Sequence, residues 1–157
     1  MSLSPTTLLA TWFGAGFLRP APGTWGSLAA LPLAWGLSSL SGPLGIGLAA
    51  LAVTLLGIWA AEGYRKSCGR EDPSEVVIDE VAGQLLTLIA VAPDILAYTA
   101  GFFLFRLFDI LKPGPIGWAD REVKGGLGIM LDDVFAGLLS GVLLWGLGKG
   151  TGWWTTI

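Results

Sequence analysis

The run from Leu44 to Ala61 holds 18 residues without a single charge. At about 1.5 Å of rise per residue, a helix of that length approaches the ~30 Å hydrocarbon thickness of a bilayer. A soluble fold can bury one such helix. This chain would have to bury several, because Ser27–Leu40, Val81–Phe105 and Val134–Gly148 are apolar as well. Only 13% of the residues are charged, against roughly 25% in soluble domains. The mean hydropathy is +0.68. Too few charges remain to coat an exterior. The sequence therefore predicts an all-α integral membrane bundle, built as one domain over residues 1–157.

The breaks within the apolar runs predict helical hairpins. Pro93-Asp94 interrupts Val81–Phe105 near its middle. In a single crossing, Asp94 would lie near the bilayer centre at a cost of about 2.5–3.5 kcal/mol. Pro93 would also remove a helical hydrogen bond. A hairpin turning at Pro93-Asp94 avoids both, with arms of about 12 residues that are short for full spans. Ser41-Gly42-Pro43 separates the first two runs in the same way. Two hairpins place Arg19, Arg65, Lys66, Arg70, Arg106, Lys112, Arg121 and Lys124 on one face and leave only Lys149 elsewhere. By the positive-inside rule that face is cytoplasmic.

Composition excludes several chemistries. There is no histidine, which removes histidine phosphatases, His-based triads and most zinc sites. The one cysteine, Cys68, is not followed by the Cys-x5-Arg loop of thiol phosphatases and cannot form an internal disulfide. A net charge of −3 argues against a nucleic-acid partner. The first residues lack the positive start of a cleaved signal segment. Carboxylates, lysines, arginines, hydroxyls and backbone groups remain.

Five acids gather on the predicted cytoplasmic face: Asp79 and Glu80 before Val81-Ala-Gly, Asp109 in Phe105–Pro113, and Asp132 with Asp133. The last pair is expected to open the final helix. Helix capping accounts for one acid at such a place, at about 0.3–1 kcal/mol, but a second adjacent acid adds repulsion. Oxygen-only clusters of this kind suit a hard cation such as Mg²⁺. Arg106 and Asp109 fall three apart on a helix of Phe, Leu and Ile, so they form an ion pair or serve a metal or phosphate site at the helix end. Lys112 lies one turn on, as a point charge for phosphate. Arg19-Pro-Ala-Pro-Gly-Thr-Trp-Gly-Ser27 is either a turn capped by Thr24 or Ser27, or a phosphate cradle with Arg19 beside it. Gly125-Gly126-Leu-Gly128 reads as a flexible turn.

Four segments, Ala21–Leu33 (APGTWGSLAALPL), Asp72–Gln84 (DPSEVVIDEVAGQ), Phe105–Arg121 (FRLFDILKPGPIGWADR) and Gly125–Gly137 (GGLGIMLDDVFAG), resemble the phosphatidylglycerophosphatase A family. The resemblance implies a Mg²⁺-dependent lipid phosphatase of bacterial phospholipid synthesis in the inner membrane. It would be multi-pass, with its site on the cytoplasmic side and a bilayer phospholipid as substrate. It implies that Asp79, Glu80, Asp109, Asp132 and Asp133 form the metal site. Arg19, Thr24, Arg106 and Lys112 are expected to meet substrate phosphate. Asp79, Asp133, Lys112 and Arg106 are expected to carry the catalysis, with water as nucleophile and Asp79 or Asp133 as base. A rival reading is a small cation channel or transporter with an acidic site. That rival needs its acids at mid-membrane, where only Asp94 could fall, and the hairpin takes Asp94 to a surface.

Overall fold

The computed structural model describes residues 4–156, and every regular element in that range is helical. The helices are α1 (Pro5–Ala10), α2 (Pro22–Cys68), α3 (Ile78–Leu88), α4 (Ile95–Leu111), α5 (Pro115–Glu122) and α6 (Gly125–Thr151). A lone bridge between Val91 and Thr156 ties the end of the chain to the far side of the bundle.

α2 is folded back on itself. A Cβ placed on Gly26 would lie 2.8 Å from Val77, and one on Gly57 would lie 3.5 Å from Ile78. In a straight helix these glycines would be about 46 Å apart, so both cannot meet adjacent residues. The reversal is at Gly42 (φ 61°, ψ −152°), a backbone state open only to glycine. This is the first predicted hairpin, turning where Ser41-Gly42-Pro43 placed it.

The second hairpin is α3–α4. Asp94 caps α4, its Oδ1 accepting from the Ala97 N–H at 2.9 Å, so the acid that would be costly mid-helix works at a helix end. α3 and α6 run parallel, with Gly83 against the Asp133 carbonyl, Gly137 against the Gly83 carbonyl and Gly141 against the Leu86 carbonyl. Small residues at this spacing let the two backbones touch. α4 returns antiparallel, laying Phe105 over Gly83 and Gly101 against Leu88 and Leu144. The arms differ in length. α3 has 11 residues and α4 has 17, about 16 Å and 25 Å of helix, both short of a full span.

The final helix differs from expectation. It begins at Gly125, not at Asp132, so Asp132 and Asp133 sit in its third turn and cap nothing. Gly126 and Gly128 are helical, not a flexible turn. A Cβ on Gly126 would fall 2.2 Å from the Ile58 carbonyl, and one on Gly128 would fall 2.1 Å from the Val123 carbonyl. They are glycine because neighbouring backbone leaves no room. The first turn of α6 is satisfied from α2, where Glu62 Oε2 accepts the Gly126 N–H at 2.8 Å. The start of α2 also differs. Its N-cap position is Ala21, and Ser27 instead donates to the Gly23 carbonyl within the helix.

α2 and α6 are long and apolar enough to cross a bilayer. Leu40, Leu44, Ile95, Phe103, Ile110 and Val142 are each at least 65% exposed. This apolar exterior is what a lipid-facing bundle carries and a water-soluble one avoids.

Candidate active site

The site lies where the chain turns between helices, at the starts of α2, α3 and α6 and the end of α4. It is a cavity of about 410 Å³. Asp79 and Glu80 enter it from the first turn of α3. There the exposed N–H groups and the macrodipole favour negative charge. Asp132 and Asp133 enter from inside α6, and Asp109, Arg106 and Lys112 from the end of α4.

One carboxylate oxygen each from Asp79, Glu80 and Asp133 lies within 4.8 Å of the other two. Glu80 Oε2 is buried with no hydrogen-bond partner. Burial pushes the Asp79 carboxyl well above its ordinary range, reinforced by the negative charges of Glu80, Asp133 and Asp132. Glu80 is raised too, by burial and the nearby Asp109 charge, against the opposing pull of Asp79 and Arg106. An oxygen-only donor set with an orphaned oxygen and uncompensated charge fits a hard divalent cation.

The other two acids already have cations. Asp109 Oδ2 forms an ion pair with Arg106 Nη1 at 2.6 Å, one turn back along α4, and the same guanidinium stands 3.7 Å from Glu80. Asp132 Oδ2 accepts from Lys112 Nζ at 2.7 Å. Lys112 sits just past α4 in a left-handed conformation (φ 47°) and also donates to Asp120. Burial alone would lower its pKa, but Asp120 and Asp132 outweigh that and raise it, so the lysine stays charged.

Arg19 and Thr24 are not among the residues lining the cavity. Arg19 is 65% exposed and faces Glu75 at 3.9 Å. The Thr24 N–H bonds the Ala21 carbonyl. The Pro/Gly segment presents Gly23 instead. A Cβ there would lie 1.9 Å from Glu80 Oε1 and 3.0 Å from Arg106 Nη1. Gly23 and Asp120 are among the cavity residues that sequence reasoning did not single out. Both lie inside the motif segments, which were the available signal.

The sequence model of the family described as Phosphatidylglycerophosphatase A matches residues 8–148. The chain belongs to the phosphatidylglycerophosphatase A family. It is 40% identical over 153 residues to phosphatidylglycerophosphatase A of Escherichia coli (strain K12), covering 92% of this chain and 84% of that protein. The Haemophilus influenzae phosphatidylglycerophosphatase A is 38% identical over 92% of this chain and 90% of its own length. A putative phosphatidylinositol-3-phosphatase of Bacteroides thetaiotaomicron is 44% identical over 87% of this chain and 89% of that protein. No solved structure is detectably similar. Each of the four family segments contributes to the wall of the cavity.

Proposed function

We propose that this chain hydrolyses the terminal phosphomonoester of phosphatidylglycerophosphate, giving phosphatidylglycerol and inorganic phosphate. It would do so as a multi-pass protein of the bacterial cytoplasmic membrane, within phospholipid synthesis. The observation that carries the reading is the Asp79–Glu80–Asp133 carboxylate triad beside Lys112 and Arg106 in one cavity, in a chain of this family. The positive-inside distribution supports a cytoplasmic site.

Asp79, Glu80 and Asp133 are the residues that would hold Mg²⁺, with Asp109 and Asp132 beside them. Bound there, the ion supplies Lewis-acid neutralisation of phosphate charge. Lys112 and Arg106 balance further charge on the phosphate oxygens. Lys112 is held between Asp120 and Asp132, which keeps it charged and aimed. Water attacks phosphorus in line, its proton passes to Asp79 or Asp133, the bond from phosphorus to the glycerol oxygen breaks, and that oxygen takes up a proton from the carboxyl or from solvent to leave as the free hydroxyl.

The test is phosphate release from phosphatidylglycerophosphate by purified protein in detergent, with Mg²⁺ and with EDTA, beside Asp133→Asn. Release that requires Mg²⁺ and is lost in the variant is expected. Equal release in EDTA, or a fully active variant, would rule out the metal-carboxylate site. Phosphatidylinositol 3-phosphate, suggested by the Bacteroides relative's name, is run alongside, and a lower kcat/KM on it is expected.

A further inference from the structure

We propose that Phe103, Leu107 and Ile110 on α4 form the track for an acyl chain of the lipid substrate. The track would let the phosphate reach the carboxylates while the chain remains in the apolar phase. This rests on the lipid-phosphatase reading above and adds to it the route of the substrate.

A phosphate on a membrane lipid cannot enter a polar cavity unless the cavity opens sideways onto apolar surface. Among the described residues, Ile110 is the one large apolar side chain that lines the cavity and is also strongly exposed, at 69%. Val76, Val123 and Ile129 also line it, but they are buried or half-buried. Leu107 and Phe103 lie three and seven residues before Ile110, on the same helical face, and are 49% and 65% exposed. From Ile110 to Phe103 the stripe descends about 10 Å along α4.

Other exposed apolar stripes do not reach the site. On α6, Leu138, Val142 and Trp145 are exposed but none lines the cavity. The same holds for Leu51, Leu55 and Trp59 on α2. On the cavity wall contributed by the start of α2 stand Ala21, Pro22 and Gly23, which carry no bulky side chain. Arg106 lies on α4 between Phe103 and Leu107 in sequence and enters the cavity. One helix therefore offers a cation to the headgroup and an apolar face to the chain. This pairing matches an anionic lipid, and a second copy of the chain or a protein partner would not require it.

The experiment compares KM for dioleoyl phosphatidylglycerophosphate in mixed micelles with KM for the dihexanoyl lipid as monomer. The variants are Leu107→Gln and Ile110→Gln, with Leu138→Gln as a polar substitution on an equally apolar face off the track. The track variants should raise the long-chain to short-chain KM ratio about tenfold, with kcat on the long-chain lipid held, while Leu138→Gln leaves the ratio unchanged. An unchanged ratio in the track variants, or an equal rise in Leu138→Gln, overturns the track. The first result would be expected if the stripe instead bound a protein. No hydrolysis of either lipid by the wild-type chain overturns the functional reading and the track with it.

Discussion

Asp79-Glu80 and Asp132-Asp133 look alike in the sequence, two adjacent acids before an apolar run, yet the fold treats them differently. The first pair occupies the opening turn of α3, where helix N–H groups offset negative charge. The second lies two turns inside α6 with no such help. There Asp132 takes Lys112 as partner while Asp133 joins Asp79 and Glu80. Adjacent acids thus divide into one that holds a lysine and one left for a cation. Placing Asp133 inside a helix would be a poor choice for stability alone, because buried charge without a partner is costly.

The largest expected effect separates the second pair. Asp133→Asn should lower kcat/KM on the order of 10³-fold, whereas Asp132→Asn, which releases Lys112 without removing a triad oxygen, should cost about 10–100-fold. Equal losses in steady-state kinetics would erase the distinction drawn here. Next comes Gly23→Ala. Its Cβ would fall 1.9 Å from Glu80 Oε1, and a carboxylate displaced by about 1 Å should cost roughly 10²-fold in kcat/KM. Full activity in that variant would show that Glu80 has room to move.

A thermal measurement probes the first pair. Asp79 in the folded, metal-free protein keeps its proton to a higher pH than in the unfolded chain. The folded state therefore binds more protons from the ordinary carboxylate range up to the raised Asp79 value, and stability falls as pH rises through that window. Mg²⁺ competes with those protons, so it should raise Tm more near about pH 8 than near about pH 5. A Mg²⁺ shift that is flat with pH would place the ion elsewhere. The smallest effect lies at the opposite end of the bundle. Asp94→Ala removes a cap bond and should cost about 1 kcal/mol, seen as a lower Tm with kcat unchanged, while Asp94→Asn should be close to neutral.

Much of this was legible in the sequence because it is local. A proline and an aspartate in an apolar run, or a glycine before a proline, mark turns by backbone chemistry alone. Helical spacing made Arg106 and Asp109 neighbours, with an ion pair as one of the two readings, and they stand 2.6 Å apart. The start of α6 was misplaced for the opposite reason. A glycine-rich stretch reads as a loop unless one knows that Ile58 and Val123 press on it. Arg19 and Thr24 look suited to phosphate, yet the lining at that place belongs to Gly23, whose contribution is the absence of a side chain.

The sequence by itself determined that the chain is helical and apolar outside, that it turns at Gly42 and at Pro93-Asp94, and that Asp79, Glu80, Asp109, Asp132 and Asp133 share one end. Those features follow from residue type and from periods of three to four residues. Only the tertiary structure decided which oxygens form the triad, that Lys112 bridges Asp120 and Asp132, and that Ile110, alone among the large apolar side chains of the described residues, is both strongly exposed and part of the cavity wall. These depend on how closely α3, α4 and α6 approach one another. Backbone contacts at Gly83, Gly137 and Gly141 set that approach, and it is a property of pairs of helices that no single segment encodes.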